Sequence, residues 1–337
     1  MPLEGQPARF AEPVDEERVR CRLCPHQCVI TEGHVGRCGA RGVREGQLRA
    51  LTYDSCSSIA LDPIEKKPLY HFSPGREILS IGGWGCNLAC RYCQNHGISQ
   101  HVESGRRLLP DDVLRLARGE PRSIGVAFTY NEPLVWFEFV MDCARLLREA
   151  GLAVVLVTNG FISPEPLAEL VPWIDAANVD LKSLDESFYA DLCSASLAPV
   201  MESIRRLGKG CHLEVTKLLV TGHGDPVADA ENIARWLAQV ISPETPLHLS
   251  RYFPRYRWHS PETSPDVLDE AFRAASQHLN YVYVGNAHRP GTTDTRCPDC
   301  GRALLERTGL GVRVVGLTME ATCDACGRAI PVRGMAW

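Results

Sequence analysis

The amino-acid sequence predicts an α/β fold: a partial (β/α)6-type, TIM-like barrel with a four-cysteine metal segment before it and a zinc ribbon after it. Three observations carry this expectation. Between residues 76 and 290, apolar runs alternate with amphipathic stretches about every 25–35 residues. Eleven of the 15 cysteines fall into three clusters. The 337 residues suffice for one core of about 200–250 residues plus smaller appendages. The implied organisation is a cysteine-rich segment over 1–75, a barrel over 76–290 and a ribbon over 291–337.

Expected strands are EILSIGG (77–83), SIGVAFT (123–129), LAVVLVT (152–158), AANVDLK (176–182), HLEVTKLLV (212–220) and PLHLS (246–250). Expected helices lie between them, at 110–119, 134–151, 164–173, 198–210 and 229–240. Strand–helix alternation implies parallel strands joined by right-handed crossovers. Six units favour a full or partial barrel. An open doubly wound sheet is the alternative, because periodicity does not report closure.

The first cysteine cluster is Cys21-x2-Cys24-x3-Cys28-x9-Cys38, set among Gly and Pro with little apolar content. Such a segment builds no core of its own, so a metal is the natural staple. Zinc and a second iron–sulfur cluster both remain open there. The last cluster, Cys297-x2-Cys300 and Cys323-x2-Cys326, repeats C-x2-C-G and has the paired-knuckle spacing of a zinc site. The middle cluster, Cys86-x3-Cys90-x2-Cys93, has three thiols and no fourth nearby. A structural zinc site closes with four ligands, and a [4Fe–4S] cluster normally takes four cysteines. Three therefore leave one iron open to an outside ligand, in a loop that follows a strand, where barrel active sites form. Cys56, Cys143, Cys193 and Cys211 have no partner at ligand spacing and read as core or surface thiols.

A net charge of −5 shows no basic excess, which argues against a general nucleic-acid binder. No apolar run reaches the roughly 18 residues of a membrane span. The polar, acidic N-terminus lacks a signal-peptide core. A cytoplasmic protein with no membrane partner is expected, where clustered cysteines are metal ligands.

C-x3-C-x2-C with Tyr92 before the last cysteine resembles the signature of radical S-adenosylmethionine enzymes. LDPIEKKPLYHFSPG (61–75), SIGGWGCNLACRYCQNHGISQ (80–100), AFTYNEPLVWFEF (127–139), VTNGFI, NVDLKS and PLHLSRYFP resemble the radical SAM enzyme of the AmmeMemoRadiSam system. That family is itself similar to the activating enzymes of pyruvate formate-lyase and other glycyl-radical enzymes. The resemblance spans residues 21 to about 295. It implies a [4Fe–4S] cluster on Cys86, Cys90 and Cys93, S-adenosylmethionine on the open iron and a 5′-deoxyadenosyl radical that abstracts hydrogen from a protein or small molecule. It further implies a flavodoxin or ferredoxin as electron donor, and Memo- or AMMECR-type partners. Glycyl-radical activation and a non-enzymatic zinc-ribbon scaffold are the alternative functions.

Site residues follow from the same resemblance. Where activating enzymes carry Gly-Gly-Glu-Pro, this chain has Tyr130-Asn131-Glu132-Pro133. Asn131 and Glu132 would then meet the amino group of the cofactor; the plain alternative for Glu132 is an acidic residue at a helix start. Thr158 and Asn159 begin a TNG turn that would meet ribose or carboxylate, or is an ordinary Asn-Gly turn. Asp180 and Lys182 share a face by strand alternation, with Lys182 placed for the cofactor carboxylate or for a simple ion pair. His248 and Arg251 are candidates for adenine, substrate or carboxylate. Glu214, Thr216, Lys217 and YVGNAH (283–288) are weaker ones.

Overall fold

A computed structural model describes residues 5–103 and 105–334; Ser104 and the outermost residues of the first and last expected segments lie outside it. The central sheet has eight strands: β1 (Ser58–Pro63), β2 (Glu77–Gly82), β3 (Ser123–Phe128), β4 (Ala153–Thr158), β5 (Ala176–Asp180), β6 (His212–Leu219), β7 (Leu247–Arg251) and β8 (Val282–Gly285). They stand in sequence order from edge to edge. The first pair, β1 and β2, is antiparallel, and every later pair is parallel. Crossover helices cover the outside, which is why β4 reads as an unbroken AVVLVT rather than an alternation.

The longer helices are α1 (Pro110–Gly119), α2 (Phe137–Glu149), α3 (Pro164–Leu170), α4 (Ala198–Gly210), α5 (Pro226–Val240) and α6 (Pro265–Ala275). Five of the six begin with Pro at the first or second helical position, where its missing N–H removes an orphan donor. Asp225 and Ser264 accept from the first free N–H groups of α5 and α6. All six expected strands form. The sheet gains β1 and β8, whose SIALDP and VYVG are too polar or too short to read as buried strands. The helix expected at 134–151 starts late, because Pro133–Trp136 is a tight 3-10 turn.

Edge strands β1 and β8 do not pair with each other, so the sheet is open, yet the C-terminal ends of β3 to β8 converge on one cavity. The opposite end is filled by side chains. Residues 64–73 run into it: the Tyr70 and His71 N–H groups donate to the Glu214 carboxylate at 3.0 and 2.7 Å. The C-terminal lobe, built on Thr295–Arg296, Ala303–Thr308 and Gly311–Val314, packs Leu304, Leu305, Leu317, Ile330 and Val332 against Tyr70, Tyr281 and Tyr283 in a shared core. Arg307 reaches in from this lobe, donates to Tyr70 O at 2.8 Å and lies 4.2 Å over the Tyr70 ring. The N-terminal segment forms two small antiparallel sheets. Its buried Arg41 binds Glu138 of α2 through both carboxylate oxygens, at 3.1 and 3.0 Å.

Candidate active site

The loop after β2 carries Cys86, Cys90 and Cys93, and its glycines are needed. A Cβ at Gly83 would fall 2.8 Å from the Trp136 ring, and one at Gly85 would fall 2.3 Å from the Cys38 carbonyl oxygen. Tight packing therefore leaves only bare backbone between strand and cysteines. Four contacts fix the rest of the loop. Asn131 accepts from Gly83 N at 3.0 Å and donates to Gly85 O at 2.9 Å. The Ala89 and Arg91 N–H groups donate to Cys193 O and Leu192 O.

All three thiols line one cavity of about 300 Å³, together with Tyr92, Asn131, Glu132, Thr158, Asn159, Asp180 and Lys182. The chain thus brings ten expected site residues to a single place. His248 and Arg251 are not among its lining. His248 is buried, with Nε2 2.6 Å from Glu214. Arg251 binds Glu262 and the Thr263 carbonyl. Depth explains His248: it lies two residues before the cavity-lining Ser250 on the same face of β7, one layer below the mouth, where it meets Glu214. Of the weaker candidates, Thr216 and Asn286 line the cavity. Lys217 pairs with Asp229, while Glu214 joins the buried network with His212 and His248.

Hydrogen bonding defines what each group can do. Glu132 accepts from Thr158 Oγ1 at 2.6 Å, Asn159 N at 2.8 Å and Leu134 N at 3.0 Å. Burial nonetheless pushes its carboxyl up to about 7, against those three donors. Asn159 Nδ2 donates to Asn87 Oδ1 at 3.0 Å and lies 3.6 Å from Cys86 Sγ, so it braces the cysteine loop. Lys182 Nζ binds Asp180 at 2.8 Å. Burial disfavours its charge, but Asp180 and the nearby Cys90 outweigh it and raise its pKa. Buried thiols at Cys86 and Cys93 are pushed up, so only a strongly binding metal would hold them as thiolates.

Several contributors carried no sequence signal. Cys193 Sγ lies 3.4 Å from Tyr92 OH, although it is 101 residues away in the chain. Cys93 Sγ is 3.2 Å from Ser99 Oγ. Tyr130 takes a left-handed backbone, φ +73°, at a position where the resemblance places glycine. Its hydroxyl donates to Asp62 at 2.5 Å and its ring lies 4.7 Å from Lys67 Nζ, contacts that hold the strained turn.

The residues present fit an iron–sulfur cluster with S-adenosylmethionine: three thiols, a lysine and a carboxylate face a cavity at the lower end of ligand-site volumes, about 300 Å³. When bound, that pair supplies the electron and the sulfonium whose cleavage yields a 5′-deoxyadenosyl radical. Known sequences agree. The signature of the Radical SAM superfamily matches residues 81–237. The chain is similar to uncharacterized protein MJ0808 of Methanocaldococcus jannaschii, 38% identical over 332 residues that cover 96% of this chain and 98% of that one. It is also similar to the benzylsuccinate synthase activating enzyme of Thauera aromatica, 25% identical over 54% of this chain and 57% of that protein. Similarity extends to the pyruvate formate-lyase 1-activating enzyme of Escherichia coli K12, 24% identical over 45% and 65%. With a family signature over its central strands and three cysteines on one cavity, the chain belongs to the radical SAM superfamily and is an enzyme that generates a 5′-deoxyadenosyl radical.

Proposed function

We propose that this radical SAM enzyme abstracts a hydrogen atom from a protein substrate, as the member of the AmmeMemoRadiSam system that its motifs resemble. The observation that carries the reading is the single cavity shared by Cys86, Cys90, Cys93 and the Asp180–Lys182 pair. In this reading Lys182 meets the cofactor carboxylate as a point charge. Glu132 offers a remaining lone pair to the ammonium; a carboxylate has about four lone-pair sites, and three are in use. Asn131, Thr158 and Asn159 contribute polar contacts, and Tyr92 packs beneath the cysteines. His248 and Arg251 stand farther off and would act on the cofactor only through neighbours. Glycyl-radical activation is the second reading, favoured by the activating enzymes among the relatives. The Tyr130-Asn131 pair in place of two glycines weighs against it.

A flavodoxin- or ferredoxin-type protein supplies the electron, Memo- and AMMECR-type proteins are the expected partners, and the cytoplasm is the expected location. No helix among the described residues is long and apolar enough to cross a membrane. Cys297, Cys300, Cys323 and Cys326 form a zinc ribbon in this reading. Their sulfurs all lie within 4.8 Å of one another, and tetrahedral zinc with Zn–S of about 2.3 Å needs them about 3.8 Å apart. The test is anaerobic reconstitution with iron and sulfide, then assay of 5′-deoxyadenosine with candidate partner proteins, each deuterated. Deuterium in the product identifies the substrate. Formation of 5′-deoxyadenosine without deuterium from any protein would overturn the protein-substrate reading.

A further inference from the structure

We infer that Cys21, Cys24, Cys28 and Cys38 hold a second [4Fe–4S] cluster, placed directly behind the cysteine loop of the active site as the entry point for its electron. All four line one small void, together with His26, Arg41 and Asn87. Sulfur spacing argues against zinc. Among the described residues, only the C-terminal quartet brings three or more metal-ligating side chains within 4.8 Å of one another, with Sγ pairs at 3.5 and 3.6 Å. The N-terminal four surround their void at wider separation, as a cubane requires, because each thiolate binds a different iron.

A second, independent feature is Arg41. It is 1% exposed and lines the void. Its terminal nitrogens are occupied by Glu138 and the Arg9 carbonyl, but its Nε–H has no partner. A buried donor left unpaired beside four cysteines suits an anionic, sulfur-rich group, whose potential such a hydrogen bond would raise.

Position gives the site its role. A Cβ on Gly85, the residue before Cys86, would strike the Cys38 carbonyl oxygen at 2.3 Å. His26 Nε2 lies 2.7 Å from the carbonyl oxygen of Asn87, the residue after Cys86, and Asn87 itself lines the void. The two cysteine loops are therefore in backbone contact. One electron from a low-potential ferredoxin- or flavodoxin-type protein would reduce the N-terminal cluster from 2+ to 1+. The same electron then passes to the active-site cluster, and the N-terminal one returns to 2+. This role rests on the radical SAM reading; the metal site does not.

The test is a metal count and a resonance spectrum on full-length protein purified without oxygen. Wild type should hold about eight iron and one zinc per chain. The variant Cys86→Ala/Cys90→Ala/Cys93→Ala should keep about four iron with four sulfide, and show on reduction a [4Fe–4S]1+ signal indifferent to S-adenosylmethionine. Two zinc and about four iron in wild type, or a folded triple variant without iron, overturns the site. Freeze-quenched mixing of wild type with reduced ferredoxin tests the relay. The indifferent signal should rise before the one that responds to S-adenosylmethionine, and the reverse order overturns the relay while leaving the site.

Discussion

Replacing Lys182 by Met separates the two roles its position allows. Lys182 Nζ lies 2.8 Å from Asp180 on the wall of the cysteine cavity, with side-chain exposures of 14% and 37%. Asp180 is thus wet enough to be solvated when its partner is lost. Loss of such a half-exposed pair should cost folding no more than about 1 kcal/mol. A charge-assisted bond from Lys182 to the cofactor carboxylate is worth about 1.5–3 kcal/mol, or about 10- to 150-fold in Kd. Methionine keeps the aliphatic bulk, so the cavity wall should stay packed. The assay is titration of the reduced, reconstituted protein with S-adenosylmethionine, following the change in its paramagnetic resonance spectrum, beside a melting curve of the same sample. Weakened binding at nearly unchanged stability is expected. An unchanged Kd with a clear drop in melting temperature would make Lys182 a structural ion-pair partner and refute the reasoning.

Asn131→Ala removes both side-chain bonds that hold Gly83 and Gly85, and iron release to a chelator should be about 5- to 30-fold faster, as expected for about 1–2 kcal/mol. Glu138→Ala strands the buried Arg41 guanidinium, and denaturant titration should read a loss of about 3–5 kcal/mol. Burial raises the Glu65 carboxyl to about 7, only partly offset by Arg307, and its Oε2 has no hydrogen-bond partner. Because the folded value lies above the unfolded one, Glu65 contributes stability that is full below about pH 4.5 and lost as pH rises through about 7, by about 3 kcal/mol. Denaturation midpoints at pH 5 and pH 8 should therefore differ more in wild type than in Glu65→Gln. Loading the C-terminal quartet with the proposed zinc and then stripping it with a chelator should lower the melting temperature of the whole chain, because Leu304 and Leu305 share a core with Tyr281 and Tyr283. Independent melting of the two parts would contradict that coupling.

The parts of the site that were legible in sequence are those fixed by local spacing. Cys86, Cys90 and Cys93 sit in one loop, and Glu132, Asn159 and Lys182 sit just beyond strand ends, where parallel sheets gather polar groups. Periodicity also located the six longest parallel strands. What spacing does not encode is which oxygen a side chain faces. Asn131 and Asn159 spend their amides on the cysteine loop, and Glu132 binds three donors from neighbouring turns. Contacts across long stretches of chain were invisible for the same reason. Cys193 meets Tyr92 only because a π-helical turn at Tyr189–Cys193 lies against the loop. His248 looked like a mouth residue by its place near a strand end, yet Ser250, two residues on, takes the cavity wall and His248 lies one layer down, on Glu214.

Arg307 changes how the order of synthesis bears on this molecule. The floor of the barrel carries Glu65 and the Tyr70 carbonyl, both made early, and the guanidinium that meets them arrives 237 residues after Tyr70. A ribosome therefore finishes every strand of the central sheet before the cation that balances its floor has left the exit tunnel. Until Arg307 emerges, the nascent sheet holds an unbalanced acid and an uncovered patch at Tyr281 and Tyr283. A premature stop between Asn286 and Arg307 would remove no cavity residue, yet would leave this floor open to aggregation and proteolysis. Late nonsense changes in the gene should behave as folding defects, and cells expressing them should show less protein rather than a slower enzyme.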